Sequence, residues 1–151
     1  MCALLLVGGY LLKEQLEMLW WHYLLFAAFL IIHALGMFDL YETYPLGIEY
    51  DYWVHGLFGT VAALILMRFI CHRSFCRSFI FQAGLTLLIV MGIAALHELY
   101  EFAGALLLGK GEGVLFIGAG DLDQWDTQKD MLNNLIGALA GVTLHLIRDN
   151  R

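Results

Sequence analysis

A histidine and two acids, His97, Glu98 and Glu101 in the segment HELYEF, interrupt an apolar run otherwise long enough to lie in a lipid bilayer. Helical spacing puts His97 and Glu101 on one face, with Glu98 beside them. An ionisable side chain at bilayer depth costs about 2.5–3.5 kcal/mol on the mildest insertion scale, so such groups face a protein interior or a wet cavity and mark a candidate functional site. Imidazole and carboxylate together make a donor set for a divalent cation, which turns a bound water into a nucleophile near neutral pH.

Other apolar segments carry matching stripes. Asp51, His55, Gly59 and Ala62 share a face in one; Ala94, His97, Glu101 and Gly104 share one in the next; Asp126, Asp130, Asn133, Gly137 and Gly141 share one in the last. Each stripe has ligand-type residues at one end and small residues below, and small residues let helices approach closely. The pattern predicts three stripes facing one another, with His33 from an earlier segment at a similar depth. The expected metal ligands are His33, His55, His97 and Glu101. Glu98, Asp126 and Asp130 are the expected catalytic carboxylates, and Asp51, Gln128 and Asn134 the expected substrate contacts. The cofactor this implies is a divalent metal ion. Zinc, iron or manganese suits mixed imidazole and carboxylate, whereas magnesium or calcium suits an oxygen-only subset such as Glu98, Glu101, Asp126 and Asp130.

Plainer roles compete for the same residues. Asp51 and Asp126 are suited to capping helices, His33 to core packing, Asn133 and Asn134 to bonding between helices, and Gly137 and Gly141 to a G-x-x-x-G contact. HELYE departs from the zinc-protease pattern H-E-x-x-H, since Glu101 stands where the second histidine belongs. The glycine-rich GKGEGVLFIGAGDLDQWDTQ is no phosphate loop, because no strand precedes it and no G-K-S or G-K-T follows; VLFIG reads instead as a lid or re-entrant piece. His22 and His145 read as anchors at the membrane interface, His72 as a solvated residue, and Lys13, Glu14 and Glu17 as a polar hinge.

Positioning these groups takes long helices. With 151 residues, 61% of them hydrophobic, and a mean hydropathy of +0.74, the chain reads as one integral membrane domain over residues 1–151. The fold class expected is all-α, a polytopic bundle of four to five membrane helices. The strong spans are 18–38, 51–71, 78–108 and 130–147, and MCALLLVGGYLL is too short to cross unaided. The only proline, Pro45, falls in DLYETYPLGIEY, which reads as an interfacial loop. If the spans alternate, Lys13, Arg68, Arg73, Arg77, Arg148 and Arg151 share one side, and most acids share the other. The positive-inside rule makes the basic side, and with it the C-terminus, cytoplasmic. A net charge of −6 offers nothing to nucleic acid, and Cys2, Cys71 and Cys76 lack metal-finger spacing and read as free thiols.

Taken together, IEYDYWVHGLFG, HELYEF and DQWDTQKDMLNNLIGALAG resemble the YjdF-like family of bacterial inner-membrane proteins, over roughly residues 39–142. DMLNNLIGALAG is also similar, more faintly, to the D-x-x-x-N-x-x-G helix of VanZ-like membrane proteins. The resemblance implies a multi-helix inner-membrane fold and singles out Asp51, His55, Glu98, Glu101, Asp126, Gln128 and Asp130, but it implies no reaction. The resemblance further leads one to expect relatives longer than this chain at the N-terminus. Membrane lipid is the expected partner. The first functional reading is a metal-dependent hydrolase or transferase acting on a lipid-like substrate near the outer leaflet. An ion or proton carrier, and a non-catalytic structural or regulatory membrane protein, are the alternatives.

Overall fold

Inside hydrocarbon there is no water to bond the backbone, so an apolar run must satisfy its own N–H and C=O groups by coiling into a helix. The computed structural model describes residues 2–36, 38, 40–73, 78–108 and 125–149. Its α-helices are α1 (Cys2–Leu12), α2 (Trp20–Gly36), α3 (Tyr50–His72), α4 (Phe79–Leu108) and α5 (Asp126–Asp149), and the described residues include no strand. Helices α3, α4 and α5 are long and apolar enough to cross a membrane. At a rise of 1.5 Å per residue, the 11 residues of α1 reach about 16 Å and the 17 of α2 about 25 Å, short of a hydrocarbon core of about 30 Å.

The centre of the bundle is the seam between α3 and α5, and glycine makes it close. A Cβ added at Gly59 would run into the Asn134 carbonyl, one at Gly137 into the Gly56 carbonyl, and one at Gly141 into the Thr60 carbonyl. Backbone therefore meets backbone along the stripe. Thr60 Oγ1 shares its proton between the Gly56 carbonyl at 2.8 Å on its own helix and the Gly137 carbonyl at 3.1 Å on the other. Below this contact Ala63, Met67, Val90, Ala138 and Val142 form an apolar core, so α4 closes the third side. The opposite face of α4 turns Leu88, Leu96 and Leu99 outward, a surface fit for lipid rather than water.

Connections at one end are basic and at the other acidic. The α1–α2 turn packs on the end of α3, where Arg68 Nε donates to the Glu17 carbonyl at 2.6 Å and Arg73 to the Gln15 carbonyl at 3.3 Å. Cys71, also at this end, donates its thiol to Gln82 Oε1 at 3.3 Å, and neither it nor Cys2 forms a disulfide. At the acidic end the loop between α2 and α3 forms two short 3₁₀ turns, Leu40–Glu42 and Pro45–Gly47, as its Tyr, Pro and Gly content requires. Tyr50 O–H ties the start of α3 to the Ile32 carbonyl of α2 at 2.7 Å. VLFIG, expected to form a lid, lies outside the described residues, as do Asp39, Cys76 and Arg77.

Candidate metal centre

One helical turn sets Asp51 below His55, and the glycine-lined approach of α5 brings Asp130 against both. His55 Nε2 lies 3.5 Å from Asp51 Oδ1 and 3.8 Å from Asp130 Oδ1. Ligand atoms of Asp51, His55 and Asp130 all fall within 4.8 Å of one another, close enough for a single cation to touch all three. Asn134, one turn along α5, meets the other face of the imidazole, its Nδ2 3.0 Å from His55 Nδ1. Glu49 occupies the N-cap position of α3 and Asp51 sits inside the first turn, so Asp51 is not that helix's cap.

This centre is buried and short of donors. Glu98 is 6% exposed, Asp130 2% and Asn134 1%. Glu98 Oε1, Asp130 Oδ1 and Asn134 Oδ1 are all acceptors, and none finds a hydrogen-bond partner among the described residues. A buried acceptor left unpaired costs roughly 1–3 kcal/mol, and more when charged. Neighbouring carboxyl groups in such a place must either hold a proton or meet a compensating positive charge.

A row of histidines leads away from the centre. The His55 and His97 ring centroids are 6.2 Å apart, and those of His97 and His33 6.4 Å. His97 Nε2 lies 3.3 Å from Glu101 Oε1, an i,i+4 pair in which the histidine side chain keeps 34% of its surface. His33 Nδ1 is 2.8 Å from the Tyr41 hydroxyl, which descends from the loop. Burial, with the charges of Asp51 and Glu101 nearby, pushes the Tyr41 phenol above its ordinary value, so it stays a neutral hydrogen-bonding group.

The structure thus brings several of the expected residues together in one place. Asp51 and Asp130, expected at the substrate and in catalysis, stand at ligand distance from His55, whereas His33, His97 and Glu101 lie outside the close group of three. Asn134 faces inward and Asn133 does not: its Nδ2 bonds back to the Lys129 carbonyl at 2.9 Å. Asp126 begins α5 half-buried and Gln128 is exposed two residues before Asp130. Tyr41 and Tyr50 were not among the expected site residues. Their signal in the sequence was the density of tyrosine in DLYETYPLGIEY, next to the outer ends of two helices.

The basic end departs further from expectation. His22 and His145, expected as interfacial anchors, are 2% and 8% exposed, because α2, α3 and α5 converge around them. The Leu19 N–H donates to His22 Nδ1 at 3.1 Å, and the Arg148 guanidinium lies 4.1 Å from the Trp21 ring centroid. A groove of about 500 Å³ lined by Tyr10, Lys13, Glu14, Met18, Leu19 and Trp20 opens beside α1 at this end of α2, and none of Asp51, His55 and Asp130 lines it.

Comparison with known proteins places the chain. All of it, residues 1–151, matches the family described as "Predicted membrane protein (DUF2238)". It is 32% identical over 123 residues to the inner membrane protein YjdF of Escherichia coli K12, an alignment taking in 74% of this chain and 58% of the relative. The chain thus spans rather more than half the length of that relative. No solved structure matches. With helices fit to cross a bilayer and the match running its whole length, the chain belongs to the DUF2238 family of membrane proteins.

Proposed function

We propose that this inner-membrane protein is a metal-dependent hydrolase or transferase whose centre is Asp51, His55 and Asp130, acting on a lipid-like substrate near the outer leaflet. The observation that carries the reading is the trio of buried, unpartnered acceptors on Glu98, Asp130 and Asn134 around one imidazole. Amide oxygen and nitrogen are interchanged by a half-turn of the side chain. With Asn134 so turned, its Oδ1 accepts from His55 Nδ1–H, and the lone pair of Nε2 faces the gap between the two aspartates. Metal-binding histidines are held in this way through the ring nitrogen that does not meet the metal, and the turn pairs the Asn134 oxygen while pointing its amide nitrogen where the oxygen had been. Glu98 is the carboxylate best placed to complete the charge balance, since it acts electrostatically on His55 from α4.

One imidazole among carboxylates suits manganese, iron or zinc, and such an ion supplies a polarised water. His97, held by Glu101 and more exposed than the centre, serves as the general base at its mouth. Because the centre lies below the acidic end, a headgroup reaches it from that surface while its tail remains in lipid. The basic ends of α3 and α5 orient the protein with its C-terminus in the cytoplasm.

Metal analysis of the full chain purified in detergent without chelator tests the reading. Stoichiometric manganese, iron or zinc is expected in the wild type, and its loss in His55→Ala and Asp130→Asn chains that keep their elution volume and helical content. Folded wild-type protein free of metal that takes none up overturns the proposal. Release of soluble headgroup from vesicles of total bacterial lipid, stopped by chelation, is the expected activity. The carrier reading has less support, because Ala63, Met67, Val90, Ala138 and Val142 separate the acidic centre from the basic end.

A further inference from the structure

The basic end presents the converse of the metal centre. Trp21 Nε1, a donor, is buried and finds no hydrogen-bond partner among the described residues. Its ring has two close neighbours: the His22 ring, tilted by 40° with its centroid 3.7 Å away, and the Arg148 guanidinium 4.1 Å from its centroid. His22 accepts at Nδ1 from the Leu19 amide, so the neutral ring carries its proton on Nε2 and is a second donor. Arg68, Arg148 and His145 are the charged or titratable groups within electrostatic reach of His22. Arg68 is fixed by its bond to the Glu17 carbonyl.

Among the described side chains at this end the acids are Glu14 and Glu17. Glu17 is shared between Arg73 Nε at 3.7 Å and His72 Nδ1 at 3.9 Å, and Glu14 lines the groove beside α1. Two guanidiniums, an indole N–H and an imidazole N–H therefore gather at the basic end, and the indole N–H has no acceptor among the described residues. Planar guanidinium forks and ring N–H groups are matched by phosphate oxygens, and a membrane protein meets phosphate at this depth on the headgroup of a lipid.

We propose that Trp21, His22, Arg68 and Arg148 form a binding site for the phosphate of an anionic phospholipid, held at the basic end of α2, α3 and α5. The lipid's acyl chains lie along the bundle and its phosphate closes the ring of donors. The site is separate from the metal centre and does not depend on it.

Native mass spectrometry of the detergent-purified full chain, offered equal amounts of phosphatidylglycerol and phosphatidylcholine, tests the site. Wild type is expected to retain phosphatidylglycerol in preference. Trp21→Phe keeps a ring under Arg148 and removes only the N–H donor, and about a tenfold loss of that preference is expected. Arg148→Gln is expected to lose as much or more, and Trp20→Phe, at an exposed ring, to lose nothing. Equal retention of the two lipids by wild type overturns the proposal, and so does an undiminished preference in folded Trp21→Phe. If millimolar inorganic phosphate strips the phosphatidylglycerol, the site is for free phosphate and the lipid assignment fails. Should Arg148→Gln not fold, Trp21→Phe decides alone.

Discussion

The two ends of the bundle leave opposite kinds of atom unpartnered. Among the described residues, Glu98, Asp130 and Asn134 carry unpartnered acceptors at the acidic end, and Trp21 carries an unpartnered donor, its indole N–H, at the basic end. Burial makes both states costly, and a ligand of the complementary sign would relieve each: the proposed cation at one end, the proposed anion at the other. Total charge would not reveal this, since the net −6 is an average over two unlike sites. What separates them is the apolar middle of the α3–α5 seam, which is held by backbone contact.

The largest effect is expected from breaking that seam, because both ends depend on it. Gly59→Leu puts a side chain into the Asn134 carbonyl, a backbone atom that cannot move aside alone. The expected result is loss of the folded protein from detergent extracts, read by gel filtration, together with both the metal and the lipid. Gly84→Leu is the control: a Cβ there meets nothing within 4 Å, so the same residue type should be tolerated.

The spans could be read from the sequence because their cause is local: apolar runs without proline, closed by polar or basic turns. The small-residue stripe of α5 was legible for the same reason. Three things were not. Which asparagine faces inward depends on the exact rotation of α5 about its axis, and the step from Asn133 to Asn134 is a turn of about 100° that periodicity alone does not resolve. Burial of His22 and His145 arises from neighbours far away in the chain, so their position near helix ends pointed to the interface instead. The return of Tyr41 onto His33 is likewise a loop contact with no period to betray it.

Asn134 gives the sharper test of the acidic end. If it accepts from His55 Nδ1–H, Asn134→Asp preserves the acceptor and should keep the metal, whereas Asn134→Ala should weaken metal affinity about 10–100-fold. Competition with a metal-sensitive dye measures both. The reverse order, with Ala tolerated and Asp not, would mean that Asn134 is a donor and that Nε2 carries a proton instead of facing an ion. A smaller effect is expected one layer out. Tyr41→Phe removes the 2.8 Å bond to His33 and should destabilise the protein by about 1 kcal/mol in urea or detergent titration while leaving metal content unchanged.

Thr86 limits how far unpartnered atoms can be read as sites. It is fully buried in α4, and its hydroxyl has no partner among the described residues, yet it stands alone. One turn along the same face is Val90, fully buried in the apolar core. If an orphan atom marks a ligand only when others of the same kind converge with it, Thr86→Val should cost nothing. The methyl that replaces the hydroxyl has nearly its shape, and the penalty of an unpaired hydroxyl is removed, so a gain of up to about 1 kcal/mol is expected. Thermal unfolding followed by circular dichroism would read it as a small rise in Tm, with metal and lipid binding as in wild type. Loss of either ligand in this variant would instead connect the two ends through α4, and the apolar middle could no longer be treated as a barrier between them.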